Sequence, residues 1–177
     1  MKSLLTSVIL ILMIISGANA QTVVKEQVKY IAVTPTVDTA VYASGDDIGG
    51  KLTFTNAVCS TASTFSVVSV AIADKAAEAI AYDLVLFKSN PSLTTFSDNQ
   101  ALDIDDGDLA KVLPIINIAT TDQFTFADNS VSSLSSLRSG GFVTATGGTL
   151  YGALVARGAA DYDAVDDIIV TLGIVCN

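Results

Sequence analysis

The sequence predicts an all-β domain, a two-sheet β-sandwich of jelly-roll type with about eight or nine short strands. Three observations predict it. Runs rich in β-branched and aromatic residues are separated by turn signals roughly every 8 to 15 residues. Of the 18 acidic side chains, 16 are Asp and only Glu26 and Glu78 are Glu; Asp bonds its local backbone and favours turns, whereas Glu favours helix interiors. The segment with helical propensity, Lys75 to Tyr82, is only eight residues long, which is marginal for a helix on its own.

The elements follow in order. Val23 to Val33 reads as a strand or extended arm that ends at Thr34-Pro35. "TAVYA" and "GGKLTFTNAVC" follow as strands, separated by the turn Ser44-Gly45-Asp46-Asp47. Phe65 to Asp74 alternates small and large apolar residues over part of its length, which suits a strand with one face buried. Lys75 to Tyr82 is either a short helix or a strand extension. Asp83 to Ser89 is a strand that stops at Asn90-Pro91. Asp105 or Asp106 is placed to cap a helical turn reaching Lys111, before a strand from Pro114 to Ala119. A short strand and a serine-rich loop come next. Two β-rich runs around Thr146-Gly147-Gly148 then read as a hairpin, and the chain continues into "DDIIVTLGIVC".

The first 20 residues have the three-part pattern of a secretory signal: Lys2, an apolar stretch from Leu4 to Ile15, and Ala18-Asn19-Ala20. The expected organisation is therefore a signal peptide at 1–20, an N-terminal strand or arm at 21–34, and a single sandwich domain at 35–177. The expected location is secreted, periplasmic or at an extracellular surface, a virion included. Loss of Lys2 with the signal leaves 8 basic against 18 acidic side chains, a net charge of −10. Such a surface repels phosphate backbones and anionic lipid, so nucleic acid is excluded as a partner, as is membrane insertion after cleavage. In an exported chain Cys59 and Cys176 are candidates for one disulfide, with two separate buried thiols as the alternative.

What is missing restricts the chemistry. The chain has no histidine and no tryptophan. Ser-His-Asp and Cys-His catalysis and His-ligated metal sites are thereby excluded. Carboxylate pairs remain able to work as acid and base, but the aspartates lie in turn-like stretches where water keeps them ionised. No enzyme is expected. "VDTA" (Val37 to Ala40) approaches the Asp-Thr/Ser-Gly signature of aspartic proteases, yet Ala40 replaces the glycine and no second copy supports a pair. Asn90-Pro91-Ser92 is blocked as a glycan acceptor by its proline.

The sharpest binding candidate is "DIDDGD", which supplies Asp103, Asp105, Asp106 and Asp108, with Asp98 upstream. Calcium takes six to eight oxygens from clustered Asp side chains and carbonyls, although the order of Gly107 and Asp108 does not match an EF-hand loop. The competing reading is a solvated turn with a helix cap, and no other cofactor is expected. A second tract, Asp161, Asp163, Asp166 and Asp167, lies between two runs that read as core strands, and is expected to be the charged turn of a hairpin.

From about Val33 to Val175 the chain resembles a group of small, mostly uncharacterised proteins encoded by tailed bacteriophages. The resemblance is carried by "VTPTVDTAVYASGDDIGGKLTFTNAV", "DLVLFKSNPSLTTFSDNQALDIDDGDLAKVL" and "TLYGALVARGAADYDAVDDIIVTLGIV". It implies a virion-associated structural protein of the kind that decorates a particle, and it brings no functional residues with it. The expected function is thus a non-enzymatic, exported structural or assembly protein. It would self-associate as a homo-oligomer or coat a particle or surface protein. The alternative is a secreted module that binds a glycan or a surface protein, with or without calcium.

Overall fold

The described residues form ten strands: β1 Val28–Val33, β2 Asp47–Phe54, β3 Thr64–Asp74, β4 Tyr82–Phe87, β5 Ile116–Ile118, β6 Gln123–Thr125, β7 Ser130–Ser135, β8 Phe142–Val143, β9 Leu150–Ala156 and β10 Ile168–Cys176. The structure is a computed structural model that describes residues 28–57, 64–135, 137, 142–143 and 148–176. The signal-like segment 1–20 lies outside the described residues, as does Cys59; Cys176 is described through its backbone, which pairs with Phe65.

The strands form two antiparallel sheets. The first has the order β1-β10-β3-β7-β6, with β8 also paired to β3, and the second has the order β2-β9-β4-β5. With the short β6 and β8 set aside, the remaining eight strands, numbered along the chain, give the orders 1-8-3-6 and 2-7-4-5. That is the interleaved order of a jelly roll, in which successive strands alternate between sheets except for the fourth and fifth, which pair with each other. The protein is a two-sheet β-sandwich.

Alternation decides what lies between the sheets. Ile48, Leu52 and Phe54 of β2, Tyr82, Leu84 and Leu86 of β4, and Leu150 and Leu154 of β9 face Val70 and Ile72 of β3 and Ile168, Val170, Leu172 and Ile174 of β10 in one buried cluster. Each fully buried Leu or Ile of this kind contributes about 1.5–3 kcal/mol by leaving water. In β2 the alternation is reset by an irregularity between Ile48 and Leu52. Gly49 and Gly50 there have φ of 73° and 70°, which L side chains rarely adopt. A Cβ on Gly49 would also overlap the ring of Pro35.

Five local expectations are corrected. The serine-rich run read as a loop contains β7, Ser130–Ser135, which pairs with β3 from Ser69↔Ser135 to Asp74↔Ser130. Lys75 to Ala81 is neither helix nor strand: the Asp74 carboxylate accepts the amides of Ala76 and Glu78 at 2.9 and 2.8 Å, which competes with helical bonding, and Ala77 takes φ 57°. "TAVYA" is no strand; Tyr42 is drawn into the core, with its amide donating to Ala160 O at 2.8 Å. The runs on either side of Thr146-Gly147-Gly148 are not hairpin partners, because β8 pairs with β3 whereas β9 pairs with β2 and β4. Nor do β9 and β10 form a hairpin, since they belong to opposite sheets. The reason is shared: β9 is buried on nearly every residue, and a strand covered on both faces needs a central position.

Within the segment read as a strand or arm, residues 28–33 are the edge strand of this chain's own first sheet, in register from Val28↔Val175 to Val33↔Val170. Residues 21–27 lie outside the described residues.

Candidate functional site

The connection from β4 to β5, residues 88–115, is the longest between consecutive strands, and it does not hang free. It folds over the outer face of the second sheet. Val85, Phe87 and Val155 point outward from that sheet and meet Phe96, Leu102, Ile104 and Val112 of the connection. Phe96 stands edge-on to Phe87, with ring centroids 5.8 Å apart. The Lys51 ammonium lies 6.0 Å from the Phe96 ring centroid and 5.8 Å from that of Tyr151, within cation–π range.

A carboxylate locks this strap. Asp108 is fully buried. Its Oδ2 accepts the amides of Leu93 and Thr94 at 2.9 and 2.8 Å and the Thr94 hydroxyl at 2.9 Å. Its Oδ1 accepts from Lys111 Nζ at 2.6 Å, and Lys111 also donates to Asn90 O at 2.8 Å. Burial by itself would raise the Asp108 carboxyl, but the Lys111 ammonium and the Leu93 and Thr94 donors outweigh it and hold the group below the usual carboxylate range. A 3-10 turn at Leu109–Lys111 aims the lysine back at this carboxylate. The preceding turn is capped by Asp105, whose Oδ1 accepts Gly107 N at 2.8 Å.

The four aspartates proposed for calcium therefore separate into different duties. Asp108 is consumed inside the strap, with Lys111 as its counter-charge. Asp103, Asp105 and Asp106 are exposed, since Ile104 between them turns inward. Among the described residues no three His, Cys, Asp or Glu side chains are placed to hold one metal ion.

Asp103 and Asp105 instead line a pocket of about 360 Å³ with Leu93, Thr94, Thr95, Ser97, Gln100 and Ala101. Its hydroxyl, amide and carboxylate groups are suited to a ligand rich in hydroxyl groups. The second tract is a crossing between sheets. Asp161, Asp163 and Asp166 are exposed, Asp166 pairs with Lys75 at 2.5 Å, and Asp167 turns inward to accept Ala164 N at 2.8 Å.

Two polar groupings were not anticipated from the sequence. At one end of the core, Tyr82 OH donates to Asp74 Oδ2 at 3.2 Å and lies 3.4 Å from Tyr162 OH; burial pushes both phenols and the Asp74 carboxyl up. Beside the strap, Asp47 lies next to Asp98, which accepts from Tyr42 OH and Gly49 N, both at 2.6 Å. A signal was present in the sequence: Asp47 directly precedes the strand-like "IGGKLTF", but its membership of the run Ser44-Gly45-Asp46-Asp47 favours a turn reading.

Among the described residues no helix is long and apolar enough to cross a membrane. No protein-family model matches the chain, and no curated protein does so either.

Proposed function

We propose that this protein is a non-enzymatic structural protein that assembles with copies of itself, in the manner of virion-associated proteins that decorate a particle. The observation that carries this reading is the outer face of the first sheet. Inward positions on β3, β10 and β7 alternate with outward ones; the outward set is the half-buried Ser66, Val68, Ala71, Ala73, Ile169, Thr171 and Val131 with the exposed Ser133. Tyr30 stands at one edge and Phe124 at the other, 68 % and 67 % exposed. Among the described residues of these strands no charged side chain lies on this face, although the chain carries 27 charged residues and a net charge of −9. A broad uncharged face on an acidic chain marks an interaction surface, and the flat floor of small side chains suits the same face of a second copy. The jelly-roll order, shared by viral capsid domains, supports this reading by analogy of fold alone.

Light scattering on the wild type and on Ala71→Lys tests it. The wild type is expected to exceed the 18.3 kDa of one chain, and the central lysine to return it to monomer. A wild type that stays monomeric at every concentration would overturn the proposal.

The polar pocket beside Asp103 and Asp105 favours a second reading, a binding module for a glycan. It predicts a monomer whose glycan binding is lost in Asp103→Asn with Asp105→Asn.

A further inference from the structure

Asp47 is the least satisfied group in the described chain. Its side chain is 0 % exposed, and neither of its carboxylate oxygens has a hydrogen-bond partner. Its backbone is firmly held, with Asp47 N donating to Gln100 O at 2.8 Å and Asn99 N donating to Asp47 O at 2.9 Å. The position is therefore fixed by the fold. Asp98 is paired beside it in a parallel bridge, which sets the two side chains on the same side of the sheet. Asp98 Oδ1 is taken by Tyr42 OH and Gly49 N, and no hydrogen bond among the described residues ends on its Oδ2.

Two neighbouring carboxylates, one of them sealed from water, require a compensating positive charge. The ion pairs among the described residues use Asp166, Asp108 and Asp83, so no side-chain cation serves this pair. A proton on Asp47 would cancel its charge, but with no partner in reach it would leave both a hydroxyl and a carbonyl unbonded, each at a cost. A hard cation resolves both deficits, because calcium accepts carboxylate oxygens from Asp together with carbonyls and water.

We propose that Asp47 and Asp98 are the acidic ligands of a cation site of the calcium class, separate from the exposed Asp103–Asp105 pocket. The ion would fasten residues 96–102 of the strap to the start of β2. Burial, and then the charge of Asp98, push the Asp47 carboxyl up to about 7 in the absence of such an ion, as expected for an acid lacking its counter-charge.

The test is thermal unfolding of the full chain with calcium or with chelator. Calcium at about 10 mM is expected to raise the midpoint by about 4 °C or more. The rise should vanish in Asp47→Asn and in Asp98→Asn, and persist in Asp103→Asn with Asp105→Asn. Terbium gives an independent readout. The chain has no tryptophan and Tyr42 donates directly to Asp98, so tyrosine-sensitised terbium emission is expected and should drop sharply in Tyr42→Phe. Should Asp47→Asn fail to accumulate, Asp98→Asn carries the same comparison. The proposal is overturned if the wild-type midpoint ignores calcium. It is equally overturned if the response survives Asp47→Asn and Asp98→Asn but disappears in Asp103→Asn with Asp105→Asn.

Discussion

The two faces of the β2-β9-β4-β5 sheet are buried by different means. The inner face meets the other sheet through Leu52, Leu84, Leu86 and Leu154 in one apolar cluster. The outer face is covered by a single connection, and acids do much of the fastening: Asp108 gathers four donors, while Asp98 ties Tyr42 and Gly49 together. The inner contact is non-directional and tolerates many apolar sequences. The outer contact is directional, so a single atom change releases it without touching the sandwich.

The largest expected effect separates neighbouring residues of one strand. Leu84→Ala opens a cavity between the sheets and should cost about 2–5 kcal/mol in denaturant unfolding. Val85→Ala, one residue on and facing the strap, should cost only about 1–2 kcal/mol. Equal losses would show that the strap is as integral to the cooperative unit as the core.

The next effect concerns pH. In chelator, the raised Asp47 carboxyl means that the native state binds this proton more tightly than the unfolded chain does. The native state is therefore penalised as pH climbs above the ordinary 3.8 toward about 7, and the penalty is complete above that window. Asp47→Asn should stabilise the cation-free protein by up to about 4 kcal/mol at pH 8, and by much less near pH 4. A stability difference between the two chains that does not change with pH would show that Asp47 is neutralised in some other way.

The smallest effect is local. Asp108→Asn should speed hydrogen exchange at the Leu93 and Thr94 amides by roughly tenfold or more while leaving the β4 and β9 amides protected. Because the Asp108 carboxyl is depressed, its anchoring is present above the ordinary carboxylate pKa and is lost only as pH falls through its lower folded value. Wild-type Thr94 should thus stay protected at about pH 4. Exchange spreading at once through β4 would mean that strap and sandwich open together.

The inner contact was partly readable from the sequence because period-2 alternation in β3 is a statement about a face, and the apolar runs of β9 and β10 read as core strands. The uses of individual aspartates were not. Asp105 and Asp108 are three residues apart in one acidic run, yet Ile104 packs inward and sends its neighbours to solvent, while Lys111 draws Asp108 inside. The placement of Asp47 depends on Asp98, which is 51 residues away and is brought alongside by the strap. Hairpins were over-read for a related reason. Turn-like residues between two strands do not reveal whether the chain returns within its sheet or crosses to the other.

The pairing of β1 with β10 joins the first described strand to the last, with Val28 opposite Val175. Between them the chain must build every other strand. Contacts so distant in sequence form slowly, since loop closure precedes any reward from pairing. Among the described strands β1 has no sheet partner until β10 emerges, and β3 lacks its partner on that side. Until β10 emerges the first sheet is unfinished, and that strand, lying between β1 and β3, joins the two into one cooperative unit.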